Sequence, residues 1–140
     1  MTVIGLASLY RTMHLQLGHV VNGRTYPDLA PADTERPFVL FARKPEGGET
    51  DVRRRPTETH VLMVEVIAER IEDAFDGAGR LVDLLRDQGS QESNGLPIDA
   101  NWEITTVSQG VLIYRVELWN GVLPLYHCGY EYTFTLEKKG

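Results

Sequence analysis

The chain has 140 residues, 42% of them apolar and 24% charged, which is the size and balance of one globular domain with a packed core and excludes wholesale disorder or a fibrous repeat. A single cysteine, Cys128, excludes an internal disulfide and any Cys-x-x-Cys metal or redox motif, and fits a reducing compartment such as a cytoplasm. The net charge of −6, with a pI near 5.2, argues against a general nucleic-acid binder, which would neutralise phosphates with a basic face.

Val3, Leu6, Ala7, Tyr10, Met13 and Leu17 recur at three- and four-residue spacing and predict an amphipathic helix from Thr2 to about Leu17. No basic leader precedes these residues, and Arg11 and His14 interrupt them, so neither a secretory signal nor a membrane span is expected. Asn22-Gly23, Tyr26-Pro27, Pro31, Asp33 and Pro37 supply turn formers and remove backbone donors, which predicts a loop up to Phe38. Phe38 to about Lys44 is short, β-branched and aromatic, hence a strand.

Pro45 to Thr59 carries two Pro, two Gly and dense charge and cannot bury enough surface to fold alone, so it is read as a long, mobile hairpin arm. His60 to Glu69 alternates, with Leu62, Val64, Val66 and Ala68 on a buried face and Glu65 and Glu69 on the other. Ala74, Ala78, Leu81, Val82 and Leu85 form one helical stripe. Glu72 and Asp73 in its first turn, Arg86 in its last and Gly89 beyond it agree with a helix. Gln88 to Pro97 is a polar loop. Trp102 to Val107 and Val111 to Trp119 read as strands joined by a Ser-Gln-Gly turn, and Asn120-Gly121 is the strongest turn signal in the chain. From Tyr126 to Glu137, aromatic and apolar residues alternate with polar ones over a full strand. The expected architecture is one α+β domain over residues 1–140. It consists of a mainly antiparallel sheet, two helices on one face and a long charged hairpin arm.

Chemistry-bearing patterns are sparse. No Gly-x-Ser-x-Gly elbow is present, and His127 and Cys128, as successive strand residues, point to opposite faces and are poorly placed to pair. Cys128 reads as a small core residue. His14, His19, His60 and His127 lack metal-ligand spacing, so no metal and no cofactor is expected, and they read as surface or satisfied, partly buried residues. Asp76-Gly-Ala-Gly-Arg80 resembles a glycine-rich phosphate loop only superficially. It falls inside the helical stripe and lacks the Lys-Ser/Thr pair, so its glycines read as sites of close helix packing. Glu65, Glu69, Glu72 and Asp73 form an acidic cluster read as a solvated or inter-subunit face.

Arg53, Arg54 and Arg55 are the sharpest local feature, flanked by Glu46, Glu49, Asp51 and Glu58. One reading is a solvated loop tip. The other is a subunit contact, because an arm of this length between adjacent strands is unusual without a function and arginine forks suit bidentate pairing with carboxylates. Glu131, Glu137 or the cluster around Glu65 and Glu69 are the candidate acceptors on a neighbouring subunit.

Taken together, the N-terminal helix, Arg24-Thr-Tyr-Pro-Asp-Leu-Ala-Pro31, Arg36-Pro-Phe-Val-Leu-Phe41, Leu62-Met-Val-Glu-Val-Ile67, the helix around Ala74 to Leu85 and the closing β region resemble the tail-completion or tail-terminator proteins of long-tailed bacteriophages. The similarity spans nearly the whole chain, and its local signature is the Tyr-Pro, Ala-Pro, Pro-Phe-Val run. The β-rich end after Asn120-Gly121 is longer than in that pattern. The resemblance implies a non-enzymatic virion protein, assembled in the host cytoplasm, that forms a homo-oligomeric ring, a hexamer in that family. Such a ring caps the head-proximal end of the tail tube, stops its growth and meets the head connector. An acidic ring would let DNA pass through its lumen without sticking, and no membrane is involved. The alternatives are another head-tail connector or tail-tube subunit, or a small α+β enzyme or ligand-binding domain.

Overall fold

Strand-forming stretches dominate the chain and pair into one sheet. The computed structural model describes residues 5–18, 23–31, 34–44, 49–51, 57–86, 96–97 and 101–138. Along them run α1 (Gly5–Leu17), β1 (Thr25–Pro27), β2 (Phe38–Arg43), β3 (Glu49–Asp51), β4 (Thr57–Ala68), α2 (Ile71–Arg86), β5 (Leu96–Pro97), β6 (Trp102–Trp119) and β7 (Leu123–Lys138). The sheet order is β1-β2-β4-β7-β6-β5, with β3 paired to the start of β4. The β1–β2 pairing is parallel and the others are antiparallel, so the chain has the expected α+β class.

Two-residue alternation sorts each strand onto two faces. Val39 and Phe41 of β2, Leu62, Val64 and Val66 of β4, Tyr132, Phe134 and Leu136 of β7, and Trp102 and Ile104 of β6 share one buried cluster with Leu9, Met13 and Leu17 of α1 and Leu81 and Leu85 of α2. Both helices therefore cover the same sheet face. In α1 the inward seam is rotated from the expected one, with Leu9 fully buried and Ala7 exposed. Tyr10 explains the rotation: its hydroxyl donates to Asp28 Oδ1 at 3.0 Å and accepts the Arg43 N–H at 2.7 Å, which holds the ring at the rim of the core.

Helix α2 lies close to the sheet because small residues line the contact. Ala74 and Ala78 meet Ala68 and Cys128 in a second cluster, and a Cβ on Gly77 would stand 2.9 Å from both Val66 methyls. Close packing accounts for Gly77. Gly79 faces open space, so the same explanation does not extend to it.

The expected turn at Ser108-Gln109-Gly110 is absent, and residues 102–119 form one strand. The register against β7 shifts between Ile104 and Thr106 and again between Gln109 and Leu112, so the extra residues are absorbed as bulges. Gly110 fits that irregularity, since a Cβ there would lie 3.2 Å from the Glu131 carbonyl oxygen. The Asn120-Gly121 turn forms as expected. Both residues have positive φ, 51° and 74°, and the Val122 N–H donates to the Trp119 carbonyl at 3.1 Å. Short β1 and β5 occupy places read as loop, where proline-containing segments pair only briefly at the sheet margin.

Only Ile104 and Glu103 of β6 are covered by β5, and beyond them no strand pairs with the outer edge of β6 among the described residues. In the sheet interior, a Cβ on Gly129 would fall 2.6 Å from the Glu65 Cα and on top of the Val64 carbonyl oxygen. The backbones of β4 and β7 thus approach one another where no side chain fits.

Candidate functional site

The face of the sheet turned away from the helices carries a cluster of charges. Arg115 of β6 stands opposite His127 of β7, and Glu65 comes from β4 on the far side. His127 is bracketed by carboxylates, with Nδ1 3.1 Å from Glu65 Oε1 and Nε2 2.7 Å from Glu117 Oε1, and Arg115 donates to the same Glu65 oxygen at 3.0 Å. Burial alone would lower the affinity of His127 for a proton. Hydrogen bonds to Glu65 and Glu117 and the Glu65 charge outweigh both burial and the Arg115 charge, and its pKa is raised. Burial likewise pushes Glu65 up, but His127 and Arg115 hold its carboxyl below the ordinary carboxylate range. When His127 is protonated, two cations and two carboxylates compensate each other.

Glu65, expected on a solvated or inter-subunit face, is not solvated: it is 6% exposed and finds its partners within the subunit. Sequence reasoning placed it by strand alternation alone and missed the partners on β6 and β7. The turn signal at Asn120-Gly121 marks the hairpin but not this juxtaposition: the ladder closes at Trp119 and Leu123 with three residues between them, and that register sets Arg115 across from His127.

A groove of about 400 Å³ adjoins the cluster, with Leu40, Ala42, Met63 and Ile113 as an apolar lining and Asp28, Glu65 and Arg115 as polar groups. Glu65 is held ionised there by its neighbours, which suits it to pairing with a cation and not to donating a proton. A smaller hollow of about 220 Å³ lies among Val82, Leu85, Val107, Gln109 and Tyr132, where burial raises the pKa of the Tyr132 phenol. Cys128 sits on the helix side of β7, opposite in facing to His127, and burial raises its thiol pKa, with the Glu65 charge adding to the shift.

At the other end of β4, Glu58 joins the root of the arm to α1. Its carboxylate accepts the N–H groups of Gly5 at 2.9 Å and Leu6 at 3.0 Å. Helix α1 has no acidic residue in its first turn, so β4 provides the anion that its dipole favours. Arg43 Nε donates to His60 Nδ1 at 3.0 Å, which leaves Nε2 to carry the proton that reaches Glu58 Oε1 at 2.7 Å. Glu58 was expected beside the arm arginines as an interface residue, but it is buried and engaged within the subunit.

The remaining interface candidates are scattered. Arg53, Arg54, Arg55 and Glu46 lie outside the described residues. Glu49 and Asp51 sit on β3, opposite Thr59 and Thr57. Glu137 faces Thr57 across the β4–β7 ladder, so it too lies at the arm root. Glu131 pairs with Lys44 at 3.0 Å. Glu69 follows the far end of β4 and lies 3.4 Å from Arg36. The length of β4, roughly 35 Å at the usual rise per residue, separates β3 from Glu69. Among the described residues, no group of three or more His, Cys, Asp or Glu is placed to hold a metal ion, and no helix is long and apolar enough to cross a membrane.

The architecture defined by these features is a mainly antiparallel sheet with both helices on one side and a cluster of charges on the other. No protein-family model and no curated protein matches the sequence. Among solved structures, the chain is similar to a component of the "Virion of native gene transfer agent (GTA) particle", with a TM-score of 0.62 and 15% sequence identity over 94% of this chain and 92% of that one. The likeness is one of fold, and it takes in almost the full length of both chains.

Proposed function

We propose that the chain is a structural virion protein, and within that class a tail terminator. Copies of it form a ring on the head-proximal end of a phage-like tail tube, stop tube growth and present a surface to the head connector. The observation that carries this reading is the end-to-end fold likeness to a chain of a gene transfer agent virion, at a TM-score of 0.62. Two further features support it. The acidic balance of the chain suits a channel that DNA crosses without adhering, because carboxylates repel phosphates. Arg53, Arg54 and Arg55 stand in the sequence between β3 and β4, and arginine forks suit bidentate pairing with carboxylates of a neighbouring subunit.

Deleting the protein from a producing strain and measuring tails by electron microscopy tests the assignment. A terminator's loss yields tails of uncontrolled length. Tails of normal length that fail to join heads would reassign the chain to the connector, and the absence of any tube would reassign it to the tube itself.

A further inference from the structure

The two flanks of the molecule carry exposed apolar surface of complementary surroundings. On one flank, Leu112, Tyr114, Val116 and Leu118 point to the same side of β6, since each faces a helix-side residue of β7 in the ladder. They belong to the helix side, where Phe75 of α2 brings its ring to 5.7 Å from that of Tyr114, yet they stay largely exposed. All four are 46–63% exposed, on a strand whose outer edge has no partner beyond Ile104 among the described residues. A long edge strand with a continuous apolar stripe invites pairing, and soluble proteins normally blunt such an edge with charge, proline or a cover.

The opposite flank is built from α1 and β1, at the other end of the sheet order. It exposes Leu15 at 65% and Leu29 at 84%. The helices beside the two patches differ in charge. The exposed side chains of α2 include Glu72, Asp73, Asp76 and Asp83 against Arg80, whereas α1 carries Arg11 and His14 and no carboxylate. Stripe-to-stripe pairing across a two-fold axis would set the α2 carboxylates against their own copies. Contact between unlike flanks buries both apolar patches and turns the α2 carboxylates toward Arg11 of α1, on a flank where Asp28 already accepts from the Tyr10 hydroxyl and Glu35 already pairs with Arg24.

We infer that the β6 stripe with the acidic face of α2 docks on the α1–β1 flank of a second copy of this chain, in a heterologous contact that repeats from copy to copy. The inference rests on the ring reading only in taking that repetition to close.

Two double variants test it. Val116→Lys with Leu118→Lys places cations on the stripe, and Leu15→Glu with Leu29→Glu places carboxylates on the other flank. All four positions are solvent-facing, so each variant keeps the parent's circular dichroism and melting temperature. Native mass spectrometry of cross-linked protein, up to millimolar concentration, reads assembly. Each variant alone associates at least tenfold more weakly than the parent, and an equimolar mixture regains 1:1 heterodimers or larger alternating assemblies. Parent-like assembly by either variant, a mixture that stays monomeric, or a parent that is itself monomeric throughout overturns the inference. Tail measurements keep the two claims apart. Variants that no longer assemble but leave tail length normal would remove the terminator assignment and leave this contact standing. Overlong tails on deletion, combined with normally assembling variants, would do the reverse.

Discussion

Glu58 accepts the backbone N–H of Gly5 at 2.9 Å across 53 positions of sequence, so the start of α1 is capped by a side chain from the sheet. Glu58→Gln keeps the shape but turns an anion into an amide, whose NH₂ cannot serve the two N–H donors. The expected cost is about 2 kcal/mol, typical of a buried group deprived of its charge-assisted partners. Chemical denaturation reads the loss, and hydrogen exchange should show α1 amides losing protection ahead of those in β4 and β7. Uniform loss across the domain would mean that the cap is incidental.

The Glu65–His127 pair predicts a stability maximum in mildly acidic solution. Glu65 has a lowered folded pKa, so its contribution is present above the unfolded value of about 4.3 and is lost as pH falls through the folded one. His127 has a raised folded pKa, so its contribution is complete below the unfolded value of about 6.5 and is lost as pH rises through the folded one. Melting temperature followed from pH 3 to 9 should therefore decline on both sides of a plateau. His127→Gln should flatten the neutral-to-alkaline decline while lowering the plateau. A parent curve that is level from pH 6 to 9 would contradict the assignment.

Gly77 and Gly79 should respond to alanine with opposite signs. At Gly79 the new methyl meets nothing, and replacing glycine inside a helix gains up to about 1 kcal/mol. At Gly77 it strikes both Val66 methyls, and overpacking of that kind costs roughly 1–3 kcal/mol, which outweighs the propensity gain. Adding Val66→Ala to Gly77→Ala should recover part of the loss. Urea midpoints of the four proteins decide the matter, and two stabilising glycine replacements would show that α2 stands farther from the sheet than described.

Reversing Arg53, Arg54 and Arg55 to Glu should leave the monomer folded and impair assembly, because the proposed partners of these arginines are carboxylates of a neighbouring subunit. Unchanged melting together with reduced oligomer is the expected result. Assembly indistinguishable from the parent would reduce the arm to a solvated loop.

Periodicity made the helices, the central strands and the Asn120-Gly121 hairpin legible, because each follows a local rule: a 3.6-residue stripe, two-residue alternation, or a turn needing positive φ. The bulged course of β6 was not legible, since Ser-Gln-Gly serves a turn and a bulge equally well and only the register of β7 chooses between them. Glu65 was placed on the side facing away from the helices, which is right, but its burial depends on His127 and Arg115, more than forty residues away in the chain. Glu58 was misread for a similar reason. Its partners are backbone N–H groups of a helix, which leave no mark on side-chain spacing. The apolar stripe of β6 was visible in the sequence, but that it stays largely exposed beside Phe75 is a fact of packing.

The pinch at Gly129 acts as an index mark for the sheet. Sliding β7 along β4 by two positions would preserve which face each side chain occupies, and alternation alone offers little resistance to that error. It would, however, bring His127 or Glu131 to the point where Val64 and Glu65 leave no room for a Cβ. A single residue without a side chain therefore sets the alignment of the two central strands, and with it the meeting of Glu65 and His127 that their sequence positions could not secure.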